Sequence, residues 1–212
     1  PPPPPLTLLG DYGGGAMSAV VGLLAAIINA RTTGKGQVVD VAMTDGVAVL
    51  TSFFHAFAHR GLWRDERGAN LLDGGAPFYR CYACADDRFV AVGALEPQFF
   101  AQLLAGLEIA PDGFGQYDMD AWPRMQAAFA ERFQARARDD WAAIFADTDA
   151  CVSPVLSFGG SADHPHNRAR GTFMIRADVV QPSPAPRFGA TPSKIGKAED
   201  DLTVADMLDR WA

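Results

Sequence analysis

The feature that most constrains this chain is an apolar run, Ala16 to Ile28, held between glycine clusters: Gly10, Gly13, Gly14 and Gly15 before it, Gly34 and Gly36 after it. Only Ser18 and Gly22 interrupt the run, so a helix from about Gly13 to Arg31 is apolar nearly all round and belongs between other elements. The run falls short of the ~20 residues that cross a bilayer, which makes a buried helix the expectation. Thr33-Gly34-Lys35-Gly36 stops it and turns the chain into the strand-like Gln37 to Val41. A buried helix feeding a short strand points to the α/β class.

Downstream, Val47, Leu50, Phe54 and Phe57 follow helical spacing and predict one helix from Thr44 to Arg60. Trp63 to Pro77 is polar and glycine-containing and reads as a linker. Phe78 to Ala83 and Arg88 to Gly93, either side of Asp86-Asp87, read as a β-hairpin, after which Pro97 opens a helix. Two more helices follow over Trp122 to Arg136 and Asp139 to Phe145. Val152 to Leu156 is a short strand confined to an edge by Pro154, Gln181 to Ser193 a proline-rich loop, and Thr203 to Trp211 an amphipathic helix. The division expected is 1–62, a linker at 63–77, a second domain at 78–175, and a return linker with terminal helix at 176–212.

With Lys+Arg 18 against Asp+Glu 25, the net charge of −7 gives no bulk attraction to nucleic acid or to an anionic membrane face. The 3 cysteines, Cys81, Cys84 and Cys151, are too few and too odd in number for a disulfide framework and fit a reducing compartment. Pro1 to Pro5 show neither the basic segment nor the cleavage site of a signal peptide, and Asp209 to Ala212 is not a peroxisomal address. Cytoplasm is the expected location, and the start reads as the middle of a longer chain.

Cys81-x-x-Cys84 lacks a second ligand pair and sits in a strand, away from the helix N-terminus that would activate a redox pair. His55 and His59 share a helix face, but Ala56 stands where a zinc hydrolase needs glutamate; His164 and His166 lie in a polar loop. No metal site is expected. Arg132, Arg136 and Arg138 read as a solvated face at a helix end. Gly13-Gly14-Gly15 has neither the Lys-Ser/Thr of a phosphate-binding loop nor a dinucleotide fingerprint. Two carboxylates stand out. Asp11, ahead of the glycine run, serves either as an N-cap or in chemistry. Glu96, directly before Pro97, occupies a cap position where glutamate is not preferred, at a strand-to-helix junction of the kind that carries chemistry in α/β proteins.

Leu8 to Gly15, Thr33 to Asp40, Asn70 to Tyr79, Ala91 to Phe99 and Thr148 to Val155, in that order, resemble the 2-methylacyl-CoA racemase branch of the class III CoA-transferase superfamily. The resemblance covers about residues 6 to 190. It implies part of a Rossmann-like large domain, a smaller α/β domain, and an interlocked homodimer with its active site between the large domain of one chain and the small domain of the other. Asp11 and Glu96 match the superfamily's catalytic aspartate and glutamate; Gly10, Tyr12, Gly13, Gly74 and Gly75 fall at substrate-binding positions. In the racemases a histidine paired with the aspartate works one face of the substrate and the glutamate the other. That histidine precedes the Gly-Asp motif, and none of His55, His59, His164 or His166 matches it.

The implied reaction is racemisation of 2-methylacyl-CoA thioesters by removal and redelivery of the α-proton through an enolate. It needs two acid/base groups on opposite faces. Backbone N–H groups near Gly10 to Gly13, at a helix start, are candidate donors to the enolate oxygen. CoA arrives as part of the substrate, so no cofactor is expected, and the partners are an acyl-CoA and a second chain, with neither nucleic acid nor membrane. Two alternatives stand beside this reading. One is a class III CoA-transferase in which the aspartate is the nucleophile. The other is an inactive fragment, since the matching histidine is absent and the isolated chain is expected to be inactive.

Overall fold

The computed structural model describes residues 5–193, Ile195 and Leu208, so the helix expected over Thr203 to Trp211 lies outside the described residues apart from Leu208. The chain is a mixed helix and sheet structure that packs as two units, 1–154 and 155–212. This boundary falls inside the segment 78–175, directly after the last strand of the larger sheet.

Leu8–Met17 form a π-helix that runs on into α1 (Ser18–Thr33). Its first long bond joins the Tyr12 N–H to the Thr7 carbonyl at 3.2 Å. The helix thus begins five residues before Gly13, and Asp11 stands in its first turn. The N-cap reading of Asp11 is corrected accordingly: the glycines taken for a loop tolerate the widened turn, where a Cβ on Gly13 would lie 3.2 Å from the Leu8 carbonyl. Gly34 ends α1 at φ 72°, its N–H donating to Ala30 at 2.8 Å.

Gln37 to Val41 do not form the expected strand. The segment is irregular and Val38 is 94% exposed, because no neighbouring strand pairs with it among the described residues. Nor is the apolar helix enclosed among the described residues: α1 has no buried residue, and Gly14 alone is buried in the π-helix. Leu8–Thr33 spans 26 residues, long and apolar enough by length and composition to cross a membrane, a test that core helices of soluble proteins pass as well.

The single helix expected from Thr44 to Arg60 is two, α2 (Met43–Leu50) and α3 (Ser52–His59). Thr51 breaks it by turning its hydroxyl back onto the Val47 and Ala48 carbonyls, each at 3.1 Å. α2 lies against the glycine helix so closely that a Cβ at Gly46 would overlap the Gly14 carbonyl, and one at Gly14 would meet the Met43 carbonyl at 2.9 Å.

The hairpin forms as expected. β1 (Tyr79–Ala83) and β2 (Phe89–Gly93) pair antiparallel from Tyr79↔Gly93 to Ala83↔Phe89. β3 (Val152–Pro154) adds on the far side of β2, at an edge where the missing N–H of Pro154 is tolerated. One face of this sheet is covered by α4 (Pro97–Gly106), α5 (Trp122–Phe133) and α6 (Arg138–Phe145). Phe78, Val90, Leu103, Leu107, Met125, Phe129 and Phe133 are fully or almost fully buried there. The polar ends of the core aromatics are satisfied: the Tyr82 hydroxyl donates to Pro77 at 2.7 Å and the Trp141 indole N–H to Phe133 at 2.9 Å. Arg132, near the end of α5, donates to the Glu108 carbonyl at 2.8 Å.

In the second unit Ser157 caps α7 (Phe158–Ser161) by accepting from the Gly160 N–H at 3.1 Å. α8 (Pro165–Arg170) starts after His164 and ends at Gly171, φ 60°. β4 (Phe173–Arg176) and β5 (Val179–Pro182) pair as a hairpin, so the proline-rich segment from Gln181 opens as a strand.

Candidate active-site cleft

Alternation along the three strands puts Tyr79 and Cys81 of β1, Ala91 and Gly93 of β2, and Ser153 of β3 on the face away from the helices. Cys151 joins them through the bond from the Gly93 N–H to its carbonyl at 2.9 Å. Apart from Tyr79 the residues here are small, which leaves most of this face low, and it forms the floor of a cleft of about 820 Å³. The opposite wall is the turn that carries Arg67, Gly68, Leu72, Asp73 and Gly74. The volume suits a substrate of ordinary metabolite size.

That wall belongs to the segment read as a linker, and side-chain bonds give it a fixed shape. The Asp73 carboxylate accepts from the N–H groups of Gly68 at 3.0 Å, Asn70 at 2.9 Å and Gly75 at 3.2 Å, and from the Asn70 amide at 2.8 Å. Asn70, 3% exposed, also donates to the Arg64 and Glu66 carbonyls, and its side-chain oxygen accepts from the Arg64 N–H at 2.7 Å. Burial works to raise the Asp73 carboxyl, but the hydrogen bonds from Asn70, Gly75 and Gly68 outweigh it and hold the group below its ordinary value. Sequence reasoning missed this knot; Asn70 and Asp73, spaced for local side-chain to backbone bonds, were its available signal.

Gly74 lines the cleft at φ 92°. Gly75 packs beneath, where a Cβ would come within 2.6 Å of the Asn70 carbonyl. Its place is therefore in the wall's packing, and it does not line the cleft. Glu96 is the extended N-cap residue of α4, at φ −75° and ψ 144°, exposed, with no capping bond from its side chain. Its carboxylate bears on Cys151: burial first, then Glu96, then Asp149 push that thiol above its ordinary value.

Asp11 is exposed on the π-helix and does not line this cleft, nor do Gly10, Tyr12 and Gly13. Tyr12 is 60% exposed, and its N–H is committed to Thr7. The N–H groups of Leu9, Gly10 and Asp11 come before the first long helical bond, where a helix leaves its donors free of intrahelical acceptors. The donor set near Gly10 to Gly13 is thereby narrowed to its leading edge.

Cys81 lines the cleft while Cys84 is fully buried in the core, so the pair points to opposite sides of the strand. His55 and His59 are exposed on α3. No group of three or more His, Cys, Asp or Glu is poised to hold a metal ion among the described residues.

Residues 1–199 match the family model for CoA-transferase family III. The chain is 42% identical to alpha-methylacyl-CoA racemase of Mus musculus over 207 residues, 97% of this chain and 54% of that protein. With the Homo sapiens alpha-methylacyl-CoA racemase the identity is 44% over 191 residues, 89% of this chain and 50% of that protein. The succinyl-CoA–L-malate CoA-transferase alpha subunit of Chloroflexus aurantiacus is 26% identical over 88% of this chain and 46% of its own length. Among solved structures, a CaiB/BaiF family protein from Brucella suis matches with TM-score 0.73 at 18% identity, covering 100% of this chain and 56% of that one. The chain spans about half the length of the curated relatives it matches.

Proposed function

Since this chain belongs to CoA-transferase family III, we propose that it carries two of the acid/base groups of a 2-methylacyl-CoA racemase, Asp11 and Glu96. The observation that carries this reading is Glu96: a carboxylate at a helix start, exposed, free of any capping bond, and close enough to act on a residue of the cleft.

Inversion at a carbon next to a thioester carbonyl requires one group to remove the α-proton and a second to deliver it from the opposite face. Glu96 serves one face. Asp11, together with a histidine that has no match among the four in this chain, serves the other. The N–H groups at the start of the π-helix donate to the enolate oxygen as charge develops there. Gly74 and the floor of the cleft receive the substrate's acyl portion, with Gly75 shaping the wall behind. Asp11 and Glu96 belong to opposite sides of an assembled site, Asp11 on a large domain that includes 1–62 and Glu96 on a small domain over 78–175, the two contributed by different chains of a homodimer. Asp11 does not line the cleft, whereas the Glu96 carboxylate acts on Cys151 of its floor, and this separation supports that arrangement. CoA enters and leaves as part of the substrate, no further cofactor is called for, and the enzyme works in the cytoplasm.

The test is α-proton exchange: the chain is incubated with a 2-methylacyl-CoA in D2O, with and without a supplied polypeptide covering the rest of the relatives' length. Deuterium entry with loss of optical purity only in the supplemented sample is expected, and Glu96→Gln should abolish the inversion. The likeness to a succinyl-CoA–L-malate CoA-transferase subunit favours a second reading, in which Asp11 attacks the thioester carbonyl, expels CoA and holds the acyl group as an anhydride. Movement of CoA to an added carboxylate without α-proton exchange, unaffected by Glu96→Gln, would establish that reading. Silence in both assays would leave a folded fragment without activity of its own.

A further inference from the structure

We propose that Asp73 is a positioning residue, whose carboxylate fixes the turn from Arg67 to Gly74 as one wall of the substrate cleft. The inference rests on the reading that this cleft receives the acyl thioester. Its basis is the convergence of three backbone N–H groups and one side-chain amide on a single carboxylate. Those donors come from Gly68, Asn70 and Gly75, near the start, in the middle and just past the end of the wall-forming turn. A regular element would hold such a segment through its backbone ladder; this one has no helix or strand between Gly61 and Pro77. Gly74 shows that the turn is held in a demanding conformation. A Cβ there would meet open space, so only its φ of 92° calls for glycine, and the residue that fixes the backbone immediately before it is Asp73. The side chain of Asp73 therefore reaches the substrate through the wall that it holds in place.

The two thiols on the cleft floor, Cys81 and Cys151, make the wall measurable, and the buried Cys84 is an internal control. In the full chain, supplemented with the polypeptide that covers the rest of the relatives' length, iodoacetamide labelling of each of these cysteines is followed by mass spectrometry, alone and against increasing CoA that carries an S-2-methylbutyl thioether, which occupies an acyl-CoA site and cannot react. Expected for the native chain is protection of Cys81 and Cys151. Asp73→Asn keeps the shape and loses the charge. It should speed labelling of both cleft thiols without ligand and raise the protecting concentration about tenfold or more, since bonds to an ionised acceptor are the strong ones. Cys84 stays unreactive. Labelling and protection unchanged in Asp73→Asn would overturn the positioning role.

Native labelling that the thioether does not slow, with Asp73→Asn still faster than native, would retain the wall and overturn the substrate reading. Should Asp73→Asn fail to fold, amide exchange on the native chain decides: the Gly68, Asn70 and Gly75 amides must be protected well beyond neighbouring Asp65 and Arg67, and equal exchange overturns the proposal.

Discussion

Glu96 bears on the Cys151 thiol from the start of α4, and after burial its carboxylate is the largest influence keeping that thiol protonated. Cys151 is itself held at φ 53°, a conformation uncommon for a residue with a side chain, at the point where the chain enters β3. The relationship links a proposed acid/base group to a residue that chemistry can report on.

Glu96→Gln is expected to lower the Cys151 pKa, because the repelling charge is removed. At a fixed pH near 7.5 alkylation of Cys151 should rise roughly twofold to fivefold, the size of a single charge interaction near a surface. Cys81, the other exposed thiol on the cleft floor, serves as the comparison in the same digest. An unchanged Cys151 rate would show that the Glu96 carboxylate does not act on the cleft thiol.

Acid should open the wall of the cleft in a defined window. The Asp73 pKa is lowered in the folded chain, so its contribution is fully present above the unfolded value of about 3.8 and is lost as pH falls through the lower folded value. Amide exchange at Gly68, Asn70 and Gly75 should therefore be slow at pH 5 and accelerate, relative to intrinsic rates, only below about pH 4.

Gly106→Ala tests the helical layer. A Cβ there would overlap the Phe145 ring, itself 3% exposed between α4 and α6, so the ring must leave its place. A loss of about 1–3 kcal/mol in urea unfolding monitored by tryptophan fluorescence is expected. Leu103→Ala, at a position with no exposure, should cost about 2–5 kcal/mol by the same measurement.

The isolated chain should associate in solution. Val20, Val21, Leu23, Leu24, Ile27 and Ile28 are between 46% and 66% exposed along α1, a continuous apolar surface beyond what soluble monomers ordinarily show. Light scattering behind size exclusion should find mixed aggregates that bind a hydrophobic dye. A monodisperse monomer with one sharp cooperative melt would contradict this.

How far the sequence was legible follows the locality of the interactions. The hairpin, the edge strand and the Glu96-Pro97 helix start were readable because strand alternation, Pro154 and Pro97 each act within a few residues. Asp11 was misplaced because four glycines within six residues read as a loop, whereas they permit a wide helix turn. Thr51 split a helix through hydroxyl bonds that periodicity does not register, and Gln37 to Val41 had strand composition without a strand to pair with among the described residues. In the site, Gly74 alone of the residues expected there lines the cleft, and the connecting structure was not legible. Asn70 and Asp73 gave a polar, loop-like composition to what is a knotted turn.

The contact of Gly14 with Gly46 leaves no room for adjustment between the π-helix and α2. Asp11 lies one turn from Gly14 on the same helix. Two backbones touching without side chains between them behave as a rigid bearing, so the carboxylate's address is set by the seating of α2. An atom added at residue 46 would move the carboxylate at residue 11 without coming near it.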